Sequence, residues 1–192
     1  MTLSLHFPPK LRFSDEELVA FCLANPDLNL ERDEKGEIHL MSPAHGLTSA
    51  NNSEIIGEVI IWNRKTKAGK VFDSSGGFFL ADTSMRAPDL AWVRIERWTA
   101  LSKKEKHSFP YLAPDFIIEL ESDTDSLTKL KSKMKKWIAN GVRLAWLISV
   151  SKQKTYIYHS NGETASVAFT QQLSGEDVLE SFTVVLSEIF EL

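Results

Sequence analysis

The sequence predicts an α/β domain with a mixed central sheet flanked by helices. Three observations carry this. Leu144-Ala145-Trp146-Leu147-Ile148 is a continuous apolar run, as expected for a strand covered on both faces. Leu90–Arg94 and Phe116–Leu120 read as two further strands, each entered after a proline. Two helical patterns accompany them. Ile55, Ile56, Val59, Ile60 and Trp62 recur at helical spacing over 49–67, and Leu127, Leu130, Met134, Trp137 and Ile138 do so over Leu127–Ala139.

The elements follow in order. Pro8 and Pro9 mark a loose arm. Ser14-Asp15-Glu16-Glu17 starts a helix, with a capping serine and early acids on the positive end of the dipole. Leu18, Phe21 and Cys22 give that helix an apolar face up to Asn25-Pro26. Residues 28–32 and 37–41 read as two strands joined by a turn at Glu34-Lys35-Gly36. Residues 43–48 are a loop before the long helix, which Gly69 ends. Val71-Phe72 and Phe78-Phe79-Leu80 flank Gly76-Gly77 and read as a hairpin. The polar stretch 96–109 suits a helix plus loop. Asn140-Gly141 closes the second long helix as a C-cap. Residues 155–158 and 182–186 are later strands, and a short helix is expected from Glu188.

The 192 residues suit a single domain, with an N-terminal arm and helix over 1–26 and the core over 27–192. The hydrophobic share of 43% and charged share of 25% are those of a globular chain that buries a core. A net charge of −4 confines any nucleic-acid contact to a local basic patch. The single cysteine, Cys22, excludes an internal disulfide and a cysteine-based zinc site. The histidines show no zinc-ligand spacing. The first residues lack a cationic segment followed by an apolar run, so no signal peptide is expected. No apolar run reaches about 18 residues, so no membrane span is expected, and the location expected is cytoplasmic.

Chemistry concentrates on Asp89 and Glu119. Alternation puts Ile117, Glu119 and Glu121 on one face of their strand, and Asp89, Ala91 and Val93 on one face of theirs. If the strands pair, Asp89 and Glu119 bring their Cβ atoms to about 4.5–5.5 Å. Glu121 lies about 6.7 Å from Glu119 along the strand and is a flanking group rather than a ligand. Two acids on neighbouring strands with a lysine nearby can hold Mg²⁺ against a phosphodiester. The helix over Leu127–Ala139 offers that lysine. Lys133 lies about 40° beyond one edge of its apolar stripe and Lys131 about 20° beyond the other, so either can reach a scissile phosphate. Lys129 and Lys136 point further outward, where they suit contact with a DNA backbone. Glu54, beside the apolar stripe of the long helix, is either an accessory acid of the site or a favourable charge in the first turns.

These residues carry a specific resemblance. Glu37-Ile38-His39-Leu40-Met41-Ser42-Pro43, the segment 70–78 and Arg86-Ala87-Pro88-Asp89 resemble the opening and middle motifs of the Uma-two family, bacterial domains commonly described as restriction endonucleases. The segments 114–120, 139–148 and 173–179 are similar to its later motifs, and the resemblance spans roughly residue 27 to the end. The family is similar to the PD-(D/E)xK nuclease superfamily. That implies a restriction-endonuclease-like three-layer core and Mg²⁺-dependent cleavage of DNA, with Mn²⁺ as a substitute. By position, Asp89 and Glu119 would be the metal-binding acids, joined by the carbonyl of Leu120. The superfamily lysine would fall at residue 121, which is glutamate here. Lys133 matches the lysine that the family places on the following helix, and Glu54 matches the acid on its long helix. The reaction class implies a homodimer. Two alternatives stand beside this reading: a nuclease fold that binds without cutting, and a weaker one, a glycosidase-type carboxylate pair.

Overall fold

The computed structural model describes residues 12–123 and 125–191; the expected arm at Pro8 and Pro9 lies outside them. The chain runs α1 (Asp15–Ala24), β1 (Leu30–Arg32), β2 (Ile38–Leu40), α2 (Gly46–Thr66), β3 (Gly69–Asp73), β4 (Phe78–Phe79), β5 (Met85–Arg86), β6 (Leu90–Arg94), α3 (Ile95–Ala100) and α4 (Lys103–Lys106). It continues with β7 (Phe116–Leu120), α5 (Leu127–Ala139), β8 (Leu144–Ser149), β9 (Lys154–His159), β10 (Thr164–Ala168), β11 (Gln172–Ser174), β12 (Thr183–Val185) and α6 (Leu186–Ile189). Among the described residues no helix is long and apolar enough to cross a membrane.

The central sheet has the order β10-β9-β8-β7-β6-β3. It is mixed: β7 and β8 are parallel and every other pair is antiparallel. A parallel pair needs a crossover, and α5 is that crossover. Alternation assigns the two faces. Trp92, Phe116, Ile118, Leu120 and Trp146 join Ile55 and Val59 of α2 in one core. Ala91, Val93, Ile117, Ala145 and Leu147 join Met134 and Trp137 of α5 in the other. The sheet is thus the middle of three layers, as the sequence predicts.

A second sheet, β2-β1-β5-β4, stands beside the first, with α1 packed on it through Leu18. Ser14 caps α1 reciprocally with Glu17, satisfying two otherwise open N–H groups. Arg32, buried, joins this sheet to α1 by pairing with Asp15 and donating to the carbonyls of Thr83 and Phe13. A short ladder, β11-β12, closes the far end.

Two expectations are corrected. The residues around Gly76-Gly77 do not form a hairpin: β3 pairs with β6, and β4 with β5 in the other sheet. The Asp73 carboxylate accepts from Ser75 N and ends β3, and Phe72 then meets Phe78 edge to face across the gap between the sheets. The long helix begins at Gly46, earlier than residue 49. Strands β5, β10 and β11 carry too short or too polar a pattern to be legible.

Gly69 joins α2 to the sheet. Its N–H and carbonyl are both held by the Asn63 side chain, whose Oδ1 also accepts from the Trp92 indole. An added Cβ would lie 2.3 Å from the Val93 carbonyl and 2.4 Å from the Trp92 ring. Gly69→Ala is expected to cost about 1–3 kcal/mol through forced backbone movement, read as a lower urea midpoint at unchanged slope.

Candidate active site

Pro88 delivers Asp89 to the start of β6, and β7 ends one residue beyond Glu119. The β6–β7 register pairs Leu90 with Ile118, and one further step sets Asp89 opposite Glu119. Asp89 Oδ2 accepts from Leu120 N at 2.7 Å, which ties the two strand ends together. Among the described residues its other oxygen makes no hydrogen bond.

Lys133 reaches this pair from α5. Its ammonium lies 2.8 Å from Glu119 Oε1 and 3.0 Å from Glu31 Oε1. The buried Trp137, one turn on, donates its indole N–H to Glu119 Oε1 at 2.9 Å. Residues four apart share a helix face, so the helix presents a cation and an indole to one carboxylate. Glu31 is the member that the sequence reading missed. It is 7% exposed on β1, and Oε1 also accepts from Ala87 N at 2.9 Å. The available sign was indirect: β5 leads into Asp89, so a strand paired with β5 runs close to the site, and β1 is one of its two partners, β4 the other.

The charges do not balance. Glu119 and Glu31 both contact the ammonium of Lys133, Asp89 feels it without a direct contact, and Arg86 stands further off, 3.8 Å from Glu31. Burial pushes Glu119 above the usual carboxylate range; Lys133 opposes the rise, and Asp89 and Glu31 add to it. Burial likewise raises Asp89, against the Leu120 N–H and Lys133. For Lys133 burial acts downward, but Glu119 and Glu31 overcome it and hold the amine above its ordinary value. Glu119 and Lys133 thus move in the same direction, although a simple ion pair would separate them. The surplus of acid over base explains this: the ammonium stays charged, and the acids carry the unfavourable charge.

A divalent cation would relieve that surplus. The donors are all carboxylate oxygens, which suits Mg²⁺ or Mn²⁺ rather than zinc, and Lys133 already holds the place of a cation among them. The acids line a cavity of about 370 Å³ that also takes in Leu120, Asp125 and the 41–45 loop. The donor set therefore fits the metal that the resemblance implies.

The other expected residues fall elsewhere. Glu54 is exposed and does not line the cavity, because α2 turns Ile55 and Val59 to the sheet and Glu54 is about 100° round the helix. Lys131 stacks over the Tyr156 ring, 3.7 Å from its centroid, on the other side of α5 from Lys133. Lys136 pairs with Glu34, and Lys129 is exposed beside the cavity. Glu121 turns to the hydroxyls of Ser149 and Ser151 and stays apart from Lys133. Asp115, the acid at the start of β7, is structural: it accepts from Arg94 N and pairs with Arg97. His39 sits with Asp33 and Glu37, their ligand atoms within 4.8 Å of one another. There Asp33 Oδ1 accepts from the backbone of Lys35 and Glu37, so the turn itself accounts for that cluster.

No curated protein matches the chain. Among solved structures, the chain is similar to a protein from Anabaena variabilis described as "a putative nuclease belonging to DUF820". The two are 19% identical, the match covers 84% of this chain and 89% of that one, and the TM-score is 0.71. That likeness shows the fold to be that of this nuclease-type group. A family model described as "Putative restriction endonuclease" matches residues 15–187, which takes in α1 as well as the core expected from residue 27. The chain belongs to the Uma2 family.

Proposed function

We propose that the protein is a metal-dependent endonuclease that hydrolyses phosphodiester bonds in DNA. The observation that carries this reading is one open cavity that gathers Asp89, Glu119 and Glu31, with Lys133 paired to the two glutamates. Asp89 and Glu119 would hold Mg²⁺ with the carbonyl of Leu120, and Glu31 takes the accessory role that the sequence reading gave to Glu54. When bound, the ion supplies Lewis-acid polarisation of the phosphoryl oxygens. Trp137 keeps Glu119 oriented. Lys133 places its ammonium where charge develops on the phosphate as water attacks phosphorus and the P–O bond breaks. Lys129 lies beside the cavity, positioned for the DNA backbone. Cutting both strands with one site per chain calls for a homodimer. The test is nicking of supercoiled DNA, which is expected with Mg²⁺ or Mn²⁺ and absent with chelator. Duplex binding without cleavage at any divalent concentration would instead favour a binding module, a reading that Glu121 at the usual lysine position also favours.

The acids give a pH signature. Asp89 and Glu119 are raised in the folded state, so the fold binds more protons than the unfolded chain, and stability falls as pH rises from their unfolded values, near 4, towards neutrality and above. His159, raised by Glu176, loses its own contribution only as pH rises from its ordinary value of 6.5 upward, over the top of that range. The metal response separates the two. The rise in Tm on adding Mg²⁺ is expected to be larger at pH 8 than at pH 5.5, because the ion competes with protons only at the acids. An equal rise at both values would contradict the assignment of these acids as ligands.

A further inference from the structure

Beside the acidic cavity lies a second one of about 540 Å³, and the two share Glu31, Asp125, Leu130 and Lys133. Its cations are Arg86, Lys129 and Lys136 in addition to Lys133. Arg86 is 5% exposed, and among the described residues its Nε has no hydrogen-bond partner. A buried guanidinium requires an anion. Glu31 stands off at 3.8 Å and is already shared with Lys133. The close partner is Glu34, whose Oε2 lies 3.0 Å from Arg86 Nη2 while its Oε1 pairs with Lys136. One carboxylate thus offers two oxygens to two cations, as two non-bridging oxygens of a phosphate would.

Glu34 is free to leave. The β1–β2 turn is held by its backbone and by Asp33: Gly36 N donates to Asp33 O, and Asp33 Oδ1 accepts from Lys35 N and Glu37 N. Within the turn the Glu34 carboxylate meets only the backbone of its own residue. Lys136 and Glu34 are both partly exposed, the kind of pair that is weak in water. The hydrogen bond from Lys136 leads the effects that lower the pKa of Glu34, so the competing group is a carboxylate throughout the neutral range.

We propose that Arg86 and Lys136 form a second phosphate site beside the acidic cluster, which Glu34 fills in the free protein in place of a substrate phosphate. This rests on the nuclease reading for the identity of the ligand, a phosphate of the bound strand next to the scissile one. Glu34 then sets a threshold: only a ligand that reaches both cavities displaces it. Arg86 lies between Glu34 and Glu31, and Glu31 lines both cavities.

Two measurements on the full chain test this, comparing wild type, Glu34→Ala, Lys136→Met and the double variant. The first is Tm against inorganic phosphate at constant ionic strength. Phosphate is expected to stabilise Glu34→Ala but neither wild type nor the double variant. The second is metal-free binding of a labelled DNA duplex at several salt concentrations. Glu34→Ala is expected to tighten binding at least about fivefold and to steepen the salt dependence by about 0.9, one added phosphate contact. The gain should vanish in the double variant. If Glu34 merely fastens the turn to α5, Glu34→Ala lowers Tm and leaves the phosphate response and DNA affinity at wild-type values, which overturns the proposal. Phosphate stabilisation without DNA binding by any variant would support the site and remove the nuclease reading.

Discussion

Asp89→Asn is expected to abolish metal-dependent nicking while leaving the fold intact. Asparagine keeps an oxygen for the Leu120 N–H, so the tie between β6 and β7 survives. It removes the carboxylate oxygen that makes no hydrogen bond among the described residues and so is the one offered to an ion. Metal-ion stabilisation of a phosphoryl transition state is worth several kcal/mol, so loss of a ligand should reduce turnover by at least about a thousandfold. The metal-free variant should melt no lower than wild type at pH 8, because a buried acid raised by its surroundings is relieved of charge. Its Tm should no longer respond to Mg²⁺. Nicking at the wild-type rate would refute the site.

Lys133→Met is expected to fail in both activity and stability, and the second loss distinguishes it from a purely catalytic residue. The ammonium is the near partner of both Glu119 and Glu31. Removing one partner of a largely buried pair leaves unpaired carboxylates, at a cost of about 3 kcal/mol. This deficit should appear in the metal-free protein at pH 8, shrink as pH falls and the acids protonate, and shrink again when Mg²⁺ supplies the missing positive charge. Lys131→Met makes the contrast, since it loses only a stack on Tyr156. Equal loss of nicking in the two variants would mean that the geometry had singled out the wrong lysine.

The sequence made the acids legible because strand periodicity is local. Prolines before Asp89 and in front of β7, together with alternation, put each acid on a readable strand face, and the pairing of β6 with β7 then opposes the two. Helical periodicity likewise located Lys133 and Lys131 at opposite margins of one stripe. Choosing between them needed the neighbours: β7 lies under one margin and Tyr156 of β9 under the other, a fact of tertiary packing. Glu31 was hidden for the same reason. It reaches the site through β5, a strand of two residues with no readable pattern. Glu54 misled because an acid beside an apolar stripe looks the same whether a site or solvent lies next to it. The Gly76-Gly77 turn misled because glycine marks a change of direction without naming the strand that the chain will join.

The parallel pair β7 and β8 has a consequence for how such a site can change over time. A chain that must climb over the sheet to return in the same direction passes its connecting helix above the strand end where the acids stand. A lysine on the part of that helix that faces the acids can supply the positive charge, as Lys133 does beside Glu119. The duty is thereby separated from the strand, and position 121 is released for other work, here a bond to two serines on the neighbouring strand and loop. A motif defined by adjacency along the chain becomes one defined by adjacency across layers. Such a site can lose its written signature while keeping its parts together.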